Sequence, residues 1–109
     1  MDLDISLEYL HEAVLNGYMY AYNNIAWVLY LKKDCLNALP YIKKAIELFP
    51  DDANCYDTLG SIYECMNEND NAMIAFEKCL ELYTKSGNQK CIDITINKIK
   101  HLQLSLKRK

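Results

Sequence analysis

The chain is poor in the residues that break structure: three glycines and two prolines among 109 residues, with half of all positions apolar and a quarter charged. That balance excludes a fibrous or disordered polypeptide and fits one packed helical domain, long enough to bury its own core. A dominant basic face is also missing, since 12 Lys and Arg face 15 Asp and Glu for a net charge of -3. Neutralising a phosphate backbone needs the opposite balance, so nucleic acid is not an expected partner. No apolar run is long enough to span a bilayer, and Met1 to Leu10 alternate acidic and apolar residues where a signal peptide needs a basic and then an apolar stretch. A cytoplasmic protein without a membrane partner is the expectation. The five cysteines, Cys35, Cys55, Cys65, Cys79 and Cys91, are odd in number, widely spaced and without a C-x-x-C pair. Neither a disulfide framework nor a four-ligand zinc site is expected from them, and a reducing compartment fits.

Chemistry has no visible residues. Glycine-rich phosphate loops, H-E-x-x-H and G-x-S-x-G are all absent. His11 and His101 lie far apart on different terminal helices and read as surface or boundary residues, with no nucleophile beside either. No enzyme activity, cofactor or metal is expected. Cys55, Cys79 and Cys91 fall at helical positions expected to be buried, and Cys35 and Cys65 fall nearer turns or a groove, with no cation to activate them.

What is present is a repeat. Displacing the sequence by 34 places lays Met19–Asp52 over Ala53–Ser86, with identity at Tyr22/Tyr56, Asn37/Asn71, Ala38/Ala72, Lys44/Lys78, Glu47/Glu81 and Leu48/Leu82. Apolar positions recur at helical spacing within each copy, as in Tyr22, Ile25, Ala26 and Leu29, then Ala38, Ile42, Ala45 and Ile46. Each copy is therefore two helices. Lys32-Lys33-Asp34 and Asn67-Glu68-Asn69-Asp70 mark the breaks, while Pro50-Asp51-Asp52 closes the first copy and offers carboxylates to the next helix. Pro40 sits near the start of its helix, where at most a slight distortion is expected. Residues 4–16 predict a further amphipathic helix stopped by Gly17, the second helix of a unit whose first helix is absent, and residues 89–106 predict a last one that caps the final hairpin.

The period and residues resemble the tetratricopeptide repeat, with Tyr56, Leu59-Gly60, Tyr63, Ala72 and Phe76 carrying most of its pattern; the amino-terminal link resembles the related Sel1-like variant. The resemblance implies an all-α solenoid, a right-handed superhelix of antiparallel hairpins with about six helices. Residues 1–109 form a single such domain, divided into a half-repeat helix (1–18), two repeats (19–52 and 53–86) and a capping helix (87–109). It also implies a function, the capture of a peptide or protein on the concave face, which is lined by first helices. The candidate groove residues are Tyr20, Asn23, Asn24, Trp27 and Leu31 in the first copy and Asn54, Asp57, Thr58, Ser61 and Cys65 in the second. Trp27 is the leading anchor, because a large aromatic side chain buries much area at low entropic cost. The chaperone-tail binding known in the family needs cations, and Asp57, Ser61 and Cys91 supply none. The alternative is a structural role, a homodimer or larger assembly driven by an exposed amino-terminal helix.

Overall fold

The computed structural model describes residues 2–108, which fold into six α-helices: α1 (Leu3–Leu15), α2 (Ala21–Leu31), α3 (Cys35–Leu48), α4 (Ala53–Cys65), α5 (Asn69–Ser86) and α6 (Gln89–Lys107). Sequence-adjacent helices pack against each other along the whole series, and α2 also touches α4 across the first hairpin. The described residues contain no strand.

Local signals set the helix ends. The Asp2 carboxylate accepts from the amides of Asp4 and Ile5 at 2.9 and 3.3 Å, Asp52 does the same for Asn54 at 3.0 Å, and the Asn88 side chain accepts from Cys91 at 3.2 Å. Each satisfies amides that the helix itself leaves without partners. At the other end, four helices close in one way. The backbone turns left-handed at Gly17, Lys33, Asn67 and Gly87. The following amides, of Tyr18, Asp34, Glu68 and Asn88, donate back to the carbonyls of Ala13, Leu29, Tyr63 and Tyr83 at 2.9 to 3.3 Å. Lys33 and Asn67 are equivalent under the 34-residue displacement, so the repeat extends to a shared backbone turn. α3 ends differently, at Phe49 (φ -133°, ψ 69°) followed by Pro50, and it runs unbroken through Pro40.

The main core joins α2, α3 and α4 through Ala26, Cys35, Ala38, Ile42, Ala45, Cys55 and Ile62. A second cluster joins Ala72 and Phe76 of α5 to Leu102 of α6, with Tyr63 of α4 packed against it. At Gly60 the backbone of α4 lies tight against α5: a Cβ there would sit 2.6 Å from the fully buried Phe76 ring. Only the missing side chain lets the ring lie against the backbone.

One expectation is corrected. Cys35 and Cys65 are bonded as a disulfide, their Cα atoms 6.4 Å apart, leaving Cys55, Cys79 and Cys91 free. The two are 30 residues apart in sequence, and no motif marks the pair. Packing of α3 on α4 brings the start of one helix to the end of the other, a proximity that linear spacing does not contain.

Candidate protein-binding groove

α2 has two unlike sides. Ala21, Ile25, Ala26 and Val28 are buried, whereas Tyr20, Asn24, Trp27 and Leu31, spaced i, i+4, i+7 and i+11, are exposed. Trp27 and Leu31 each keep 40% of their surface in solvent, a large apolar exposure for one helix of 11 residues. Trp27 does not swing freely: its ring stacks on Tyr30, centroids 5.0 Å apart and planes inclined by 27°. Beside it Ser6, Tyr9 and Leu10 of α1 join Asn24, Trp27 and Val28 around an open depression of about 380 Å³. Tyr20, just before α2, is stacked face to face on Phe49 at 4.4 Å and edge-on to Tyr18 at 5.8 Å. Asn23 is half-buried, and its side-chain oxygen has no hydrogen-bond partner among the described residues.

The equivalent row on α4 is arranged otherwise. Asn54 is exposed and its side-chain oxygen accepts from the Tyr83 hydroxyl at 2.6 Å. Asp57 is half-buried and receives Lys98 of α6 at 2.7 Å. The same ammonium lies 5.7 Å from the Phe76 ring centre, which fixes the cap against α4 and α5 together. Thr58 and Ser61 are buried, and the Thr58 hydroxyl donates to the Asn54 carbonyl at 3.1 Å. The Cys65 sulfur is in the disulfide. Ser61 and Cys65 nonetheless border a second depression of about 340 Å³, together with Tyr30, Lys33 and Glu64. The structure thus brings Asn24 and Trp27 to one hollow and Ser61 and Cys65 to another, with the Trp27–Tyr30 stack between them; Tyr20, Asn23, Leu31, Asn54, Asp57 and Thr58 border neither.

Sequence reasoning passed over Tyr9, Tyr30 and Lys98. Tyr30 stands three residues after Trp27, a spacing that puts the two on neighbouring faces and was legible. Tyr9 and Lys98 reach the site from other helices, and no local pattern announces them.

A profile of the tetratricopeptide repeat matches residues 17–85, more than half of the chain. The chain belongs to the tetratricopeptide repeat family. The solution structure of a protein from Bordetella parapertussis is similar to it with a TM-score of 0.80, at 18% sequence identity, over 91% of this chain and 88% of that one, which establishes the likeness of fold. No curated protein matches. Tetratricopeptide repeats generally mediate protein–protein interactions.

Two of the three free thiols, Cys55 and Cys79, are buried packing groups. Burial, reinforced by the nearby Asp52 carboxylate, pushes the Cys55 thiol up to about 12. Burial, reinforced by Asp57, does the same for Cys79. A thiol in that range stays protonated and unreactive at neutral pH. Among the described residues no three His, Cys, Asp or Glu side chains converge as a metal site, and no helix is long and apolar enough to cross a membrane.

Proposed function

We propose that this protein is a non-catalytic binding module that holds a peptide or protein segment along the face formed by α2 and α4. The observation that supports this reading is the half-exposed Trp27, locked on Tyr30 and set between two depressions, on a helix whose opposite side is fully buried. A rigid aromatic in that setting loses little entropy on binding and gains the full benefit of desolvation. An apolar anchor of the guest fills the hollow of Tyr9, Leu10 and Trp27, while Lys33 and Glu64 read polar groups further along. The groove residues carried into this proposal are Tyr20, Asn23, Asn24, Trp27, Leu31 and Asn54, with the edge positions Asp57, Thr58, Ser61 and Cys65 shaping the wall.

Trp27 is the only tryptophan, so its emission reports on its own surroundings. A displayed peptide library selected on the protein should yield ligands that shift this emission. Trp27→Ala should weaken them at least about tenfold with the helical circular dichroism unchanged. Ligands bound equally well by Trp27→Ala would remove the proposal. The compartment turns on the bridge: free thiols suit the cytoplasm, and a Cys35–Cys65 bond suits an oxidising one. Counting thiols in protein isolated under non-reducing conditions decides between them.

A further inference from the structure

Two exposed stripes stand on the first and last helices. From the cap residue Asp2 into α1, Ile5, Tyr9 and Glu12 follow at helical spacing with Glu8 alongside, and Ile5 and Tyr9 are 50% and 71% exposed. On α6, Lys90, Ile94, Asn97, His101 and Leu104 form a second line that runs on to the cap residue Arg108, with Ile94 and Leu104 46% and 55% exposed. The stripes carry opposite charge. Lys100 and Lys107 add to the cations of α6, whose one anion, Asp93, already accepts from the Gln89 side chain, and α1 has Asp4, Glu8 and Glu12 but neither Lys nor Arg. Asp4 is held by Lys32, whereas Glu8, Glu12, Lys90, Lys100, Lys107 and Arg108 make no ion pair among the described residues.

We propose that the α1 stripe of one copy of this protein docks on the α6 stripe of a second copy. Charge decides the pairing. Two α1 stripes face to face would oppose carboxylates, and two α6 stripes would oppose ammonium groups. Only α1 against α6 sets apolar side chains together with anions facing cations. Because the two surfaces differ, each bound copy keeps one of them free, and the contact grows head to tail unless it closes into a ring. This goes beyond the groove reading and does not depend on it.

The test is sedimentation velocity on the 109-residue chain, up to about 1 mM and at low and high salt, with the variants Tyr9→Lys and Ile94→Glu. Both replaced side chains are exposed, and circular dichroism checks that each variant folds. Wild type should show a mass that rises with concentration and falls in high salt. Each variant alone should associate at least about tenfold more weakly. Mixing the two should restore association, since each still offers the surface that the other lacks. A protein that stays monomeric throughout overturns the proposal. So does a variant that associates like wild type, which would place the contact elsewhere, or a mixture that stays as weak as its parts.

Discussion

The two hairpins share a backbone and differ in how they fill it. In the first, Ala26 of α2 shares a core with Ile42 of α3; in the second, the equivalent positions hold Gly60 and Phe76, and the ring touches the α4 backbone. Volume lost on one helix is regained on its partner, which keeps the interior dense. The outward row shows the reverse. Trp27 on α2 is 40% exposed, while Ser61, its equivalent on α4, is 9% exposed. α4 receives Lys98 of α6 at Asp57, whereas Trp27 on α2 borders a hollow walled by α1. The comparison teaches that the repeat conserves shape in the core and spends its variation at the edge of the array.

The strongest way to disturb the comparison is to cut the covalent tie between the two hairpins. Reducing Cys35–Cys65, or making Cys65→Ser, should lower the unfolding free energy by about 3.5 kcal/mol, because the bridge closes a loop of 30 residues in the unfolded chain. Urea unfolding with and without reductant measures it. An unchanged midpoint would mean that packing alone holds α3 to α4.

Gly60→Ala makes the second hairpin resemble the first without shrinking Phe76. The new methyl group falls inside the ring's contact distance, so a loss of roughly 1–3 kcal/mol is expected despite alanine's better helix propensity. Adding Phe76→Ile should recover part of that loss by restoring the pairing of α2 with α3, as a double-mutant cycle would show.

A smaller effect concerns Cys79, which occupies the place of Ala45. An unfolded thiol loses its proton near 9, whereas the buried Cys79 holds it to about 12. Its contribution to stability is therefore complete below pH 9 and is lost as pH rises towards 12. Cys79→Ala should flatten the alkaline decline of the urea midpoint and leave the neutral-pH slope unchanged. At neutral pH a maleimide should label Cys91 before Cys55 or Cys79, which are buried.

Least in size is the turn. Lys33 and Asn67 adopt the same left-handed backbone, with φ of 66° and 61°, and asparagine tolerates it better than lysine. Lys33→Asn should stabilise the protein by about 0.5 kcal/mol. Equal midpoints would show that the first turn is already relaxed.

Much of the fold was legible because it is local. A 34-residue displacement, apolar residues at helical spacing and capping residues at the breaks located both hairpins, and the ends of α1 and α6 lie within a residue of their expected places. The exposed row of Tyr20, Asn24, Trp27 and Leu31 followed from the same periodicity. The α4 row did not, because Thr58 and Ser61 are covered by neighbours that periodicity within one helix does not register.

By itself, then, the sequence determined the period, the helices, their caps and the sides that seek the core, since each depends on contacts within a few residues along the chain. The bond between Cys35 and Cys65, the seating of Lys98 on Asp57 and the close fit of Phe76 to Gly60 were decided only when the helices stacked. Those contacts join residues 16 to 41 positions apart, and their partners are selected by the distance between packed helices rather than by any pattern along the chain.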